Sequence, residues 1–163
     1  MSVNKYQPHV FVLPEDDANR QLANGFLLYQ PLFVRSIQVL VEVGGWTQVL
    51  ERFRLDHVAE MDRYPHRFLV LLFDFDGHQE RLNKARDHIP GHLTDRVFIL
   101  GALSKPEDLR RAGLGSYENI GLAMAQACHE ETDGIWAHDL LRHNASELDP
   151  LRKHLRPILF PPD

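Results

Sequence analysis

Phe68-Leu69-Val70-Leu71-Leu72-Phe73-Asp74-Phe75-Asp76-Gly77 is the stretch that decides how this chain folds. Six apolar residues run without interruption and stop at two acids and a glycine. A run of that length, closed by a turn residue, reads as a central strand buried on both faces. An unpaired carboxylate in apolar surroundings is costly, so acids delivered there need a compensating partner, and a divalent cation is one. Working outward, His9-Val10-Phe11-Val12-Leu13 is a second apolar strand, and it also ends in acids, Pro14-Glu15-Asp16-Asp17.

The remaining pattern alternates strand and helix. Ala18, Leu22 and Phe26 recur at helical spacing and predict a helix over 16–28. Ile37 to Val43 reads as the second strand, Gly44-Gly45 as a turn, and Trp46 to Phe53 as a helix continuing toward Met61. The third strand is then 67–73 and the fourth 96–100. Between them, 79–88 reads as a charged surface helix whose Arg81, Lys84 and Arg86 form a solvated face. Pro106 opens a short helix to Ala112. Ser116 caps a helix through Glu130, with Ile120, Met124, Ala127 and Cys128 turned inward. Helical pieces over 135–142 and 146–155 follow, then a short strand at 158–160. This order predicts an α/β fold of three layers, α/β/α, around a mostly parallel sheet of four or more strands. One domain is expected over 1–163, with its core at about 8–110 and a helical C-terminal extension over about 115–163.

At 163 residues the chain can bury a full core, and its 44% apolar and 25% charged content is that of a globular domain. No apolar run approaches the roughly 20 residues that cross a bilayer, and the first residues carry no apolar leader segment. A cytoplasmic protein with no membrane partner is the expectation. The single cysteine, Cys128, excludes an internal disulfide and a multi-cysteine zinc site. Of the ten histidines, His88 and His92 have i, i+4 spacing, but Pro90-Gly91 between them breaks the helix that would put both on one face. A net charge of −5 argues against coating nucleic acid by bulk electrostatics.

The two acid-tipped strands carry the functional reading. In an open α/β sheet, ligands bind beyond the carboxyl ends of the strands. If the first and third strands are neighbours, Glu15, Asp74 and Asp76 converge there, and in a continued strand Asp74 and Asp76 point the same way. Three carboxylates suit Mg²⁺ or Mn²⁺, hard cations that share phosphate oxygens. Asp16 and Asp17 read as caps of the following helix.

A Glu after the first strand and an Asp-x-Asp after the third resemble the Toprim domain, especially its small standalone and OLD-nuclease-like members. The resemblance covers about residues 8–110. Glu15 and the pair Asp74 and Asp76 match its motifs, with Asp16 where the family usually has Gly. It implies Mg²⁺-dependent phosphodiester chemistry on nucleic acid by a nuclease or nuclease subunit, in company with a partner protein such as an ATPase. Glu15, Asp74 and Asp76 would be catalytic and metal-holding, and Glu107 would stand for the further acid of OLD-like members. Lys105 or Arg81 would contact the phosphate.

Phe73-Asp74-Phe75-Asp76-Gly77 also resembles the first motif of haloacid-dehalogenase-like phosphatases, which would make Asp74 a nucleophile. His78 stands where that family has Thr or Val, and no Gly-Asp-x-x-x-Asp follows. The acids with Ser104 resemble a response-regulator receiver lacking its lysine, and an inactive interaction module is a further alternative.

Overall fold

The computed structural model describes residues 2–162. Four strands, β1 (His9–Pro14), β2 (Ile37–Val39), β3 (Arg67–Leu72) and β4 (Val97–Leu100), form one parallel sheet in the order β2-β1-β3-β4. The apolar run of β3 places that strand centrally. It pairs with all six residues of β1 on one side and with β4 on the other.

Strand periodicity divides the core in two. Val10, Val12, Val70, Leu72, Phe98 and Leu100 face one way, Leu13, Leu69, Leu71, Val97 and Ile99 the other, as period-two side chains must. The first face is covered by α1 (Asp17–Phe26), α6 (Tyr117–Glu130) and α7 (Ala145–Leu159), through Leu22, Ile120, Met124, Leu151 and Leu155. The second is covered by α2 (Trp46–Arg52), α3 (Val58–Arg63) and α4 (Glu80–Arg86), through Val49, Met61 and Ala85, and by Phe53 between α2 and α3. The expected three-layer α/β/α arrangement results. A wide-turn segment, Phe53–His57, joins α2 to α3, so the helical run from Trp46 extends to Arg63. Helices α1 and α6 cross closely because Gly25 lies against the Glu118 backbone and Gly121 against the backbone of Leu22, Gly25 and Phe26, so a Cβ on either would strike the facing helix.

Three expected elements change. The strand expected at 158–160 is instead the last turn of α7, because Leu148, Leu151, Leu155 and Leu159 form one buried helical stripe. The second strand is only three residues long, although Leu40 N–H and Val43 N–H still bond to Val12 and Pro14 on β1. The piece expected over 135–142 resolves into tight turns at Gly134–Ala137 and Arg142–Asn144. The remaining helix, α5 (Pro106–Arg111), begins at Pro106 as expected, and Ser116 caps α6 by accepting from Asn119 N–H.

The far edge of β4 is sealed by side chains. Glu147, 6% exposed, accepts from Ile99 N–H at 2.7 Å and from Arg86 Nη2 at 2.6 Å. Arg86 Nη2 also donates to the Val97 carbonyl, and Asn144 bonds both the N–H and the C=O of Gly101. An edge strand with satisfied polar groups offers nothing for another strand to pair with. The basic face expected on 79–88 is therefore not simply solvated: Arg86 turns in to Glu147 and Arg81 to Asp76, leaving Lys84 exposed.

Candidate metal centre

The strand order puts the reversal of connection between β1 and β3. From β1 the chain crosses to β2 on one side, then returns to β3 on the other. The carboxyl ends of these neighbours bound a crevice at a topological switch point, where open α/β sheets bind ligands. Glu15 directly follows β1, and Asp74 follows β3 with Phe73 between.

Backbone hydrogen bonds fix both. Glu15 N–H donates to Leu72 O at 2.8 Å, and Asp74 N–H donates to Glu15 Oε2 at 2.8 Å. Phe73 N–H and Phe75 N–H reach the β4 side, on Leu100 and Ala102. Their rings pack into the α2–α4 face. Asp74, between them, is thereby turned to the α1 face, and is 7% exposed. There Asn19, fully buried, donates from Nδ2 to Asp74 Oδ1 and Asp16 Oδ1, each at 2.9 Å. Asp16 caps α1 through Asn19 N–H. Carboxylate oxygens of Glu15, Asp16 and Asp74 all lie within 4.8 Å of one another, close enough to ligate one cation.

The electrostatics are those of a site short of positive charge. Burial raises the Asp74 pKa to about 7; the Asn19 hydrogen bond opposes this, and Glu15, Asp16 and Asp76 add to it. Burial also raises Glu15, against the Asp74 N–H, with Asp16 and Asp76 adding repulsion and Arg81 relieving some of it. Clustered acids whose charged forms are disfavoured would be stabilised in those forms by a cation placed among them. Asn19 Oδ1 is buried with no partner, so the amide that bridges two carboxylates does so at the cost of an orphaned oxygen. The donor set is all oxygen, which fits Mg²⁺ or Mn²⁺.

Other expected site residues fall elsewhere. Asp76 does not continue the strand beside Asp74. Its backbone is left-handed (φ 50°), as is that of Gly77 (φ 80°), in a turn closed by His78 N–H on Phe75 O. The turn carries the Asp76 carboxylate into solvent, where Arg81 Nη1 donates to Oδ2 at 2.9 Å. That same nitrogen donates to Asp74 O at 2.8 Å, and the guanidinium lies over the Trp46 ring at 4.5 Å. Glu107 sits in the first turn of α5, outside the acid cluster, in a shallow hollow with Arg110, Arg111 and Tyr117. Lys105 precedes α5 and is exposed. Sequence reasoning assigned Asp16 a capping role only and passed over Asn19; an Asp at an N-cap followed by Asn three residues later, beside a strand-end Glu, was the available signal.

A cavity of about 1040 Å³ lies at the opposite, amino-terminal rim of the strands. It is lined by Val3, Gln7, Phe33, Arg35 and Ile158 among others, with no carboxylate among the described residues. No helix among the described residues is long and apolar enough to cross a membrane. Neither family models, nor curated proteins, nor solved structures match the chain.

Proposed function

We propose that this protein is a Mg²⁺- or Mn²⁺-dependent phosphodiesterase acting on nucleic acid, in the manner of the Toprim-like nucleases it resembles. The observation that carries the reading is the direct contact of two loops: Glu15 accepts the Asp74 N–H across the β1–β3 switch point, with Asp16 beside them. Convergence of acids from two separate strand ends supports metal-assisted phosphoryl chemistry over a lone aspartate nucleophile, because Glu15 lies against Asp74 rather than far from it.

Glu15, Asp16 and Asp74 would hold the cation. When bound, it lowers the pKa of a water molecule and offsets negative charge gathering on the phosphate. The chain's own residues do the rest. Glu15 keeps one oxygen on the Asp74 N–H and has the other free to accept a proton from the attacking water. Arg81 presents a fixed positive charge beside the site, and only its Nη1 bonds to protein. Asn19 holds Asp16 and Asp74 in register. With a net charge of −5, delivery of a polyanion falls to a basic partner, such as an ATPase subunit, and we propose a cytoplasmic assembly of that kind.

The test is hydrolysis of labelled single- and double-stranded DNA and RNA with Mg²⁺ or Mn²⁺, comparing the native chain with Glu15→Gln and Asp74→Asn. Metal-dependent cleavage lost in both variants supports the reading. Cleavage that survives Asp74→Asn, or phosphate release from monoesters alone, overturns it.

A further inference from the structure

We infer that the amino-terminal rim of the sheet carries a binding site for a phosphate group, built on Arg67. The site lies at the opposite end of the strands from the acid crevice and is independent of the metal reading. His9 opens β1, Arg67 opens β3, and the two are partners across the sheet. Both are buried, 1% and 3% exposed. Arg67 Nε donates to His9 Nε2 at 3.0 Å. An arginine N–H can only donate, so Nε2 accepts, and the ring proton sits on Nδ1, which donates to Gln7 O at 2.7 Å. The guanidinium carbon lies 4.3 Å from the centre of the Phe11 ring and 4.9 Å from that of Tyr64. These contacts fix the fork in place and use one of the five N–H groups of a guanidinium. The four on Nη1 and Nη2 meet no acceptor among the described residues, and neither nitrogen is sealed from solvent. Burial opposes the charge of Arg67; Glu60 favours it from a distance, and no carboxylate among the described residues pairs with it. Contacts with aromatic rings return less than the desolvation of an ion costs. An oxyanion on the two Nη nitrogens would supply both the acceptors and the opposite charge.

The surroundings favour phosphate over a carboxylate. Two more cations gather at the Tyr64 ring, Lys5 at 5.5 Å and Arg63 at 5.4 Å from its centre, and both are exposed. Lys5 and the exposed His66 also add positive charge around His9. Of the acids on α3, Asp62 is paired with His92, which leaves Glu60 as the opposing charge. A carboxylate would be matched by Arg67 alone, whereas three cations suit the dianion of inorganic phosphate or of a phosphate monoester.

The experiment is a calorimetric titration of the metal-free chain with inorganic phosphate, at constant ionic strength and at slightly alkaline pH, where phosphate is a dianion. The native chain is expected to bind phosphate, and chloride at equal ionic strength is expected not to displace it. Arg67→Lys keeps the charge but loses the fork, and should weaken binding at least about tenfold. Lys5→Gln/Arg63→Gln, at two exposed positions, should weaken it by about threefold to tenfold. A 5′-phosphorylated DNA oligonucleotide that binds more tightly than its 5′-hydroxyl form supports the site and gives a nucleic-acid end as the source of the phosphate. Inorganic phosphate bound with no such difference supports it with a small phosphate compound as the source. No phosphate on the native chain, displacement by chloride, or equal affinity in Arg67→Lys overturns the inference. Unchanged affinity in Lys5→Gln/Arg63→Gln overturns it as well, and this variant decides the matter if thermal melting shows that Arg67→Lys does not fold.

Discussion

Glu147 and Asp74 are the two buried acids among the described residues, 6% and 7% exposed, and they sit in opposite company. Glu147 closes the β4 edge by accepting from the Arg86 guanidinium on both carboxylate oxygens and from the Ile99 N–H on Oε1. Every charge it buries is met inside the protein. Asp74 looks into the β1–β3 crevice with one amide hydrogen bond to its side chain and two further acids at hand. Its nearest cation, Arg81, bonds its backbone carbonyl and spends its charge on Asp76. The difference lies in the partners: Glu147 has its charge met by a guanidinium, and Asp74 has an amide and two further acids.

The largest expected effect breaks the satisfied member. Arg86→Ala leaves Glu147 buried with no cation, and should cost about 3–5 kcal/mol in a urea melt. Glu147→Ala should cost a similar amount, and the double variant much less than the sum, because the two act as one pair. A loss under about 1 kcal/mol for either would mean that the edge seal is incidental.

Next comes the crowded member, through pH. The folded Asp74 pKa, about 7, lies above the ordinary 3.8. A raised pKa means that the folded chain holds its proton more tightly than the unfolded chain. Its stabilising contribution is complete below about pH 4 and fades as pH rises toward 7, by an amount on the order of 4 kcal/mol for a shift of that size. Without metal, Asp74→Asn should therefore be more stable than the native chain at pH 8, and the gap should shrink toward pH 5. Equal melting curves at pH 8 would show that the crevice already meets its own charge.

Metal should then erase that gap. At about 100 times its dissociation constant, Mn²⁺ would stabilise the native chain by about 2.7 kcal/mol. Thermal melts should show this rise in the native chain, no rise in Asp74→Asn or Glu15→Gln, and an undiminished rise in Arg86→Ala measured against its own metal-free melt.

The crevice was legible in the sequence where strand chemistry governs and illegible where turn geometry does. The apolar runs of β1 and β3 announced two strands ending in acids, and period-two alternation then fixed which face each residue takes. Asp74 followed from that. Asp76 did not: two residues along a strand would share a face, but the Asp76-Gly77 turn ends the strand between them. Arg86 and Glu147 are 61 positions apart, so no local pattern could show that a basic residue on a charged helix seals a strand edge. The close of the chain misled for a related reason. Ile158-Leu159-Phe160 is apolar enough for a strand, and only the stripe from Leu148 onward assigns it to a helix. Neighbouring of β1 and β3, on which the site depends, is a property of the sheet that the sequence left conditional.

The smallest effect separates the two settings most cleanly, through a pair of asparagines. Asn144, 1% exposed, bonds the N–H and C=O of Gly101 at the sealed edge. Asn19, fully buried, bonds two carboxylates in the crevice. Alanine at either position leaves buried polar groups without a hydrogen-bond partner and should cost roughly 1–3 kcal/mol in the metal-free protein. The causes differ, so the remedies should too. At Gly101 nothing from solution replaces the lost amide, and the Asn144→Ala deficit should be the same with and without Mn²⁺. In the crevice a cation does what the Asn19 amide does, drawing Asp16 and Asp74 together. Saturating Mn²⁺ should therefore recover most of the Asn19→Ala deficit, while the affinity for the ion falls by about 10–100-fold through loss of the orienting contact. An Asn19→Ala deficit that saturating Mn²⁺ leaves untouched would make Asn19 a second Asn144, a structural tie with no bearing on the acids it touches.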